Sequence, residues 1–124
     1  MKRVLIVDDD PAFVGLLTKA FEMSSEYQIS SFNDPRTALE KIENDMPDAI
    51  LLDVRMPGIT GIDFLRHLRA MEKGRDVTVI MTTNDSSLET MGQTAEFNVR
   101  GYVLKANESL KTIVSMVDRI VGHA

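Results

Sequence analysis

Short apolar runs alternate along this chain with stretches in which apolar residues recur at helical spacing. A short apolar run is typical of a buried strand, and recurrence every three or four residues is typical of a helix with one buried face. Strands that alternate with helices through short connections form a parallel sheet covered on both faces, so the pattern predicts a doubly wound α/β fold. The predicted strands are Arg3 to Asp8, Tyr27 to Phe32, Ala49 to Asp53, Val77 to Thr82 and Gly101 to Leu104.

Four of the five predicted helices have a clear apolar face. Asp10 and Asp34 are each followed by a proline, Pro11 and Pro35. This order is typical of a capping side chain and the first turn of a helix. The third helix is expected to end near Gly74. The apolar positions are Phe13, Leu16, Leu17, Ala20 and Phe21 in the first helix, Ala38, Leu39 and Ile42 in the second, Ile62, Leu65 and Leu68 in the third, and Leu110, Ile113, Val114, Val117 and Val121 in the fifth.

The fourth helical segment, Ser86 to Phe97, has a weaker pattern. It contains Gly92, two threonines and few apolar residues. Asn98 is expected to close it in the left-handed conformation. A weakly packed element is a candidate for a part of the molecule that moves, and a poor helix without functional meaning is the alternative.

Carboxylates follow two of the predicted strands. Asp8, Asp9 and Asp10 come directly after the first apolar run, and Asp53 ends the third strand. Functional groups of open parallel sheets gather beyond the carboxyl ends of the strands, so these acids are expected to share one pocket. Crowded like charges repel each other unless a hard cation lies among them. An all-oxygen ligand set favours Mg²⁺ over zinc or copper.

The remaining strand ends supply hydroxyls and an ammonium group. The fourth strand leads to Thr82 and Thr83, with Asn84 and Asp85 behind them, and the fifth leads to Lys105. A carboxylate can accept a phosphoryl group, while a cation, a lysine and a hydroxyl stabilise the charge on it. Each residue alone has an ordinary structural explanation as a cap, a turn residue or a solvated lysine. Their coincidence at one edge of the sheet favours a phosphoryl-transfer site.

Composition narrows the class of protein further. The 124 residues are expected to form one domain, residues 1–124, with a substantial core. The net charge of −5 argues against a surface for nucleic acid or anionic membranes. The chain has no cysteine, which excludes disulfides and thiolate metal sites. No apolar run is long enough for a signal peptide or a membrane span, so a cytoplasmic location is expected.

The strand ends resemble those of a known family. Four segments, in order and with the expected spacing, resemble the receiver domain of two-component response regulators over essentially the whole chain. They are Val4 to Asp10, Leu51 to Gly58, Val79 to Thr83 and Gly101 to Lys105. Any one of them is a weak signal, but the four together are specific. The resemblance implies a flavodoxin-like three-layer sandwich with five helices and strand order 2-1-3-4-5.

The resemblance also implies a phosphoacceptor and a metal site. Asp53 would accept a phosphoryl group from a histidine kinase or a histidine phosphotransfer protein. Asp9, Asp53 and the backbone carbonyl of Arg55 would bind Mg²⁺ directly, with Mn²⁺ as a substitute. Asp8 would bind it through a water molecule. The protein would then be no enzyme beyond its own phosphorylation and dephosphorylation.

The switch is likewise implied by the resemblance. Lys105 would pair with the phosphoryl group or, before phosphorylation, with Asp53. Thr83 would be the switch hydroxyl and Asn84 a further phosphoryl contact. Tyr102 would be the aromatic switch, although an amphipathic ring at a sheet edge is the simpler explanation. Phosphorylation would change the surface of the fourth helix, fifth strand and fifth helix, and thereby bias binding of an output partner, a missing output domain or a second copy.

Four positions depart from the family pattern or modify it. Ala106 replaces the usual proline, and because a cis bond before alanine costs about 2.5–4 kcal/mol, the Lys105–Ala106 bond is expected to be trans. Asn84 replaces a very small residue and is expected to slow phosphorylation by small donors. Arg55 and Asp85 are expected to pair across the entrance and to tune the phosphoryl lifetime rather than stability.

Three other classes of protein remain as alternatives. The first is a degenerate receiver that acts as an unphosphorylated binding module. The second is a phosphatase of the haloacid-dehalogenase type that uses Asp8, although Pro11 and Ala12 do not fit its motif. The third is an FMN-binding module, which three carboxylates after the first strand disfavour because they would repel the phosphate.

Overall fold

Five parallel strands form the single described sheet of the molecule. The computed structural model describes residues 1–24, 26–56, 58–84 and 88–122, with side chains throughout except at 88–90. The sheet order is β2-β1-β3-β4-β5, which confirms the predicted topology. The strands are β1 (Lys2–Val7), β2 (Tyr27–Phe32), β3 (Ala49–Asp53), β4 (Thr78–Thr83) and β5 (Gly101–Leu104).

Five helices connect and cover the strands. They are α1 (Pro11–Glu22), α2 (Pro35–Asn44), α3 (Gly61–Ala70), α4 (Leu88–Ala95) and α5 (Leu110–Val117), and a π turn (Asp118–Gly122) follows α5. The predicted caps are confirmed: the Asp10 side chain accepts hydrogen bonds from the backbone of Ala12 and Phe13, and Asp34 accepts one from Arg36. No helix among the described residues is both long and apolar enough to cross a membrane.

The predicted end of the third helix is wrong. Helix α3 ends at Ala70, since Met71 is extended, and Gly74 belongs to a separate 3₁₀ turn, Glu72–Gly74. This turn folds back against α3 so closely that a Cβ on Gly74 would lie 2.2 Å from the carbonyl oxygen of Leu68. Glycine is therefore required at this position by a close backbone approach and not by a helix cap.

The α4 region matches the sequence prediction in part. Asn98 has a φ of 59°, as predicted, but it lies beyond the end of α4 at Ala95. The predicted start at Ser86 lies outside the described residues. Strand β4 begins and ends one residue later than predicted, so Thr83 is its last residue.

The core has two parts, one on each face of the sheet. Alternate residues of β1 point to opposite faces: Val4 and Ile6 pack with the cluster under α1 and α5, and Leu5 and Val7 pack with the cluster under α2 and α3. Strand β3 is buried along its whole length. A central parallel strand with helices on both faces is expected to read as a continuous apolar run, and this is why the strand signal was clear in the sequence.

Candidate functional site

Three carboxylates meet at the carboxyl edge of the sheet. The register pairs Val7 of β1 with Leu52 of β3, so the next residues, Asp8 and Asp53, lie side by side at the ends of their strands. Asp8 is 1% exposed and Asp53 6% exposed, whereas Asp9 is exposed. Asp8, Asp9 and Asp53 each offer a ligand oxygen, and these atoms lie within 4.8 Å of one another. The structure thus brings the predicted acidic cluster together.

The backbone around Asp53 is held by both neighbouring elements. Val54 donates its backbone N–H to the carbonyl of Thr82 at 3.2 Å, and Gly61 donates to the carbonyl of Val54 at 2.8 Å. A side chain at Gly61 would collide with the backbone of Asp53. Sequence reasoning did not predict that Gly61 packs against the backbone of Asp53. The signal available in the sequence was a glycine directly after Thr60, the residue that caps α3.

The surroundings of Asp53 shift its pKa well above that of an exposed carboxyl. Burial, followed by the charge of Asp8, raises the pKa of Asp53 from 3.8 to about 7. Lys105 and a hydrogen bond from the backbone of Arg55 lower it, and Asp9 raises it slightly. A buried acid with a strongly raised pKa beside other acids is typical of a functional site, because such an arrangement is unfavourable without a ligand.

Lys105 is the ammonium group of the site. Its backbone N–H bonds the carbonyl of Thr83 at 2.8 Å, which places it directly after β5. Its Nζ lies 2.7 Å from Asp8 Oδ2 and 3.6 Å from Asp53 Oδ2, with 8% of the side chain exposed. The nearer partner is therefore Asp8, and the pairing with Asp53 that the resemblance implied is also present at the longer distance. Nζ also lies 4.7 Å from the centre of the Phe13 ring.

The preference of Lys105 for Asp8 has a physical cause. Asp8 Oδ1 accepts a hydrogen bond from the backbone of Asp10 at 2.9 Å. Its Oδ2 is buried and accepts no well-aligned hydrogen bond from a described residue, so the nearby ammonium is its main compensation. A buried carboxylate oxygen requires a hydrogen-bond donor or a cation close by.

The turn after Lys105 follows the sequence prediction. The Lys105–Ala106 peptide bond is trans, as expected for alanine. Backbone N–H groups of Asn107 and Glu108 bond the carbonyl of Leu104 at 3.0 and 3.1 Å. Ala106 and Asn107 are exposed, so the turn itself has little packing to hold the lysine.

A cleft of about 410 Å³ opens above these groups. Thr83 is buried at the end of β4, while Asn84 and Arg55 are exposed at the rim. The predicted ion pair of Arg55 with Asp85 lies outside the described residues. The cleft is lined by Asp9, Asp10, Asp53, Arg55, Thr83, Asn84 and Lys105.

Tyr102 lies apart from the cleft, on the edge strand β5. It is half-buried, and its hydroxyl donates a hydrogen bond to the carbonyl of Met91 in α4 at 2.9 Å. Burial raises the pKa of Tyr102. The side chain therefore connects β5 to α4 through its hydroxyl.

Comparison with known proteins identifies the family. The model of the response regulator receiver domain matches residues 4–118. The chain is 31% identical over 103 residues to the chemotaxis protein CheY of Pseudomonas aeruginosa, covering 83% of each protein. The chain therefore belongs to the family of response regulator receiver domains.

Other relatives are longer or carry a metal. A protein-glutamate methylesterase/protein-glutamine glutaminase of Rhizobium johnstonii is 35% identical over 129 residues, which cover 98% of this chain and 34% of that protein. The chain thus spans about a third of that relative. The receiver domain of a Pseudomonas aeruginosa sensor histidine kinase, solved with a magnesium ion in its active-site cleft, is 25% identical, with a TM-score of 0.85 and 98% coverage of both chains.

Proposed function

We propose that this protein is a phosphoacceptor switch of a two-component system and that Asp53 is the phosphorylated residue. The observation that carries the proposal is the buried Asp53 carboxylate at the cleft, with two further acids and the Lys105 ammonium beside it. An oxygen of Asp53 attacks the phosphorus of a phosphohistidine on a histidine kinase or a histidine phosphotransfer protein. The P–N bond breaks, and its electron pair leaves with the imidazole.

The acidic cluster fits a divalent cation. The three carboxylates have ligand oxygens within 4.8 Å of one another and only one ammonium beside them, an arrangement that suits Mg²⁺, with Mn²⁺ as a substitute. Asp9, Asp53 and the Arg55 carbonyl would bind the ion directly, and Asp8 through water. A bound cation neutralises the acids and attracts phosphoryl oxygens. The magnesium-bound relative supports this assignment.

The chain's own residues then hold the phosphoryl group. The Lys105 ammonium could leave Asp8 and pair with a phosphoryl group on Asp53 after only a small movement, because its Nζ lies between the two carboxylates. Thr83 and Asn84 line the same cleft and would contact the phosphoryl oxygens. Thr83 is proposed as the switch hydroxyl, since its movement toward the new charge would be transmitted along β4.

The output of the switch is proposed to lie on α4, β5 and α5. Tyr102 bonds the Met91 carbonyl, so a movement of α4 or of the ring breaks a specific contact. The altered surface would bind an output partner, an output domain or a second copy. The 124 residues are proposed to act as one cytoplasmic receiver domain, alone or within a longer regulator, with no catalysis beyond its own phosphorylation and dephosphorylation.

Two alternatives are separated by one experiment. The family match leaves the dehalogenase-type phosphatase without support, while the Asn84 and Ala106 departures keep a degenerate receiver as the second candidate. Intact mass is measured after incubation with acetyl phosphate or phosphoramidate, with Mg²⁺ or with chelator, for the wild type, Asp53→Asn and Asp8→Asn. One Mg²⁺-dependent phosphoryl group is expected in the wild type and, more slowly, in Asp8→Asn, and none in Asp53→Asn.

The other outcomes are equally informative. A phosphoryl group that persists in Asp53→Asn and disappears in Asp8→Asn would indicate phosphatase chemistry on Asp8. No phosphoryl group from either donor would favour the degenerate binding module, and a histidine kinase with ATP would then be the last donor to test.

A further inference from the structure

The Lys105 side chain is more deeply buried than its exposed backbone turn explains. The turn is exposed at Ala106 and Asn107 and contains only trans peptide bonds. The side chain is nevertheless 8% exposed, and its Nζ is held at defined distances from two carboxylates. Another element must therefore cover it.

That element is the first turn of α1. Phe13 is half-buried and packs on the core cluster beneath α1 and α5. Its backbone N–H donates to the capping carboxylate of Asp10 at 3.2 Å, which fixes the start of the helix and the position of the ring. The ring centre lies 4.7 Å from Lys105 Nζ, within the range of a cation–π contact.

We propose that Phe13 is a positioning residue for Lys105, and that its ring holds the ammonium between Asp8 and Asp53. The proposal rests on the function proposed above. The two carboxylate distances, 2.7 and 3.6 Å, show that only a small displacement separates the resting partner from the phosphorylation site.

An aromatic ring suits this task for a physical reason. Its attraction for a cation is spread over the ring face, so Nζ can shift between two anions without losing the contact. A carboxylate or amide in the same place would fix the ammonium through a directed hydrogen bond. An aliphatic side chain would exclude water equally well but would not attract the charge. Phe13 therefore supplies a contact to the ammonium that the exposed turn after Lys105 does not provide.

The first test is spectroscopic and does not depend on phosphorylation. Protons over a ring face are shifted upfield, so the ε-methylene resonances of Lys105 are expected upfield of those of the other lysines. The shift should persist in Phe13→Tyr and disappear in Phe13→Leu. A Lys105 resonance at the ordinary lysine position in the wild type would overturn the proposal without any variant.

The second test is kinetic. Phosphorylation by phosphoramidate with Mg²⁺ is expected to slow about three- to thirtyfold in Phe13→Leu and to recover in Phe13→Tyr. The Mg²⁺ affinity is not expected to fall, because the ligands are the carboxylates and not the lysine. Val14→Ala is the matched control for lost packing on α1, since Val14 is half-buried on the same helix.

The outcomes separate this inference from the proposed function. Equal rates in the wild type and Phe13→Leu, or an equal loss in Val14→Ala and Phe13→Leu, would contradict the positioning role. A wild type that is never phosphorylated would contradict the proposed function, while the Lys105 resonances would still decide whether the ring holds the ammonium.

Discussion

A Cβ on Gly61 would lie 2.4 Å from the carbonyl oxygen of Asp53. The first residue of α3 thus touches the backbone of the proposed phosphoacceptor. Gly61→Ala must displace that backbone or the start of α3, and overpacking of this kind costs about 1–3 kcal/mol of stability. We expect a lower urea midpoint, and also a lower Mg²⁺ affinity because the Asp53 carboxylate moves with its backbone.

Gly92→Ala is the matched control for Gly61→Ala. A Cβ on Gly92, in α4, would meet no atom of a described residue within 4 Å. The substitution also favours a helix, so the stability of this variant is expected to be equal or higher. An Asp53 site that binds Mg²⁺ normally in Gly61→Ala would show that the contact is not needed for the geometry of the site.

The raised pKa of Asp53 predicts how stability depends on pH without metal. The unfolded carboxyl loses its proton near 3.8, and the folded one near 7. The folded state therefore binds the extra proton between these values, and the contribution of Asp53 to stability falls as the pH rises through this window. Asp53→Asn lacks the effect, so in chelator it should be the more stable protein near pH 8.

The measurement is a set of urea denaturations from pH 4.5 to 8.5. The stability difference between Asp53→Asn and the wild type is expected to grow up to about pH 7 and then to stay constant. The total increase is expected to be about 1.4 kcal/mol for each unit by which the folded and unfolded pKa values of Asp53 differ. Glu40→Gln, which removes one exposed carboxylate, controls for net charge. A difference that stays constant across the series would contradict the raised pKa.

Addition of Mg²⁺ should offset the loss of folding stability that repulsion within the acidic cluster causes. A ligand that binds only the folded state at a hundred times its dissociation constant stabilises it by about 2.7 kcal/mol. The wild type and Glu40→Gln are expected to gain this stability in thermal unfolding, and Asp53→Asn and Asp9→Asn to gain clearly less. Equal gains in all four proteins would place the ion away from the cluster.

Much of the fold could be predicted because its signals are local. Buried strands such as Ala49–Asp53 read as apolar runs, and the capping residues Asp10 and Asp34 precede prolines. The candidate site followed from the rule that parallel strands end at one edge of the sheet. Its residue types were therefore predictable, and the described ones do lie together.

The predictions that failed, and the features that were not predicted, depend on contacts between residues that are distant in the sequence. The predicted end of α3 was wrong because glycine is required at position 74 by its close approach to the backbone of Leu68. No pattern in the sequence indicates such a contact. The pairing of Lys105 with Asp8 depends on which oxygen is left without a hydrogen bond. The sequence predicted Phe13 only as a core residue of α1. Helical spacing indicates which face of a helix is buried, but not that Lys105 lies against this ring.

Asn84 is expected to slow access to the cleft. It is exposed at the rim and lines the cleft together with Asp53 and Lys105. Asn84→Ala widens the entrance, so phosphorylation by phosphoramidate should become faster while Mg²⁺ affinity stays the same. Thr37→Ala, at an exposed site in α2, is a surface control. A slower Asn84→Ala would show instead that the amide binds the phosphoryl group and that this contact outweighs access.

Arg69 joins α3 to the segment that follows α4. Its guanidinium donates hydrogen bonds to the backbone carbonyls of Phe97 and Asn98, at 2.8 and 3.3 Å, and of Gly74 and Val77, at 2.9 and 2.8 Å. Burial lowers the pKa of Arg69. Four carbonyls on two loops therefore depend on one side chain, and the position of the end of α4 depends on it as well.

Arg69→Met keeps the apolar stem and removes all four bonds. Because a single hydrogen bond to a charged group contributes about 1.5–3 kcal/mol, we expect at least that loss in urea denaturation, with faster amide exchange in the segments after α4 and before β4. Arg66→Met is the control on the same helix, where an exposed pair with Asp63 contributes about 0–1 kcal/mol and the guanidinium lies 6.0 Å from the centre of the Phe97 ring. Equal losses in the two variants would mean that the four carbonyls find other partners, and that α4 is held by Tyr102 and its apolar contacts alone.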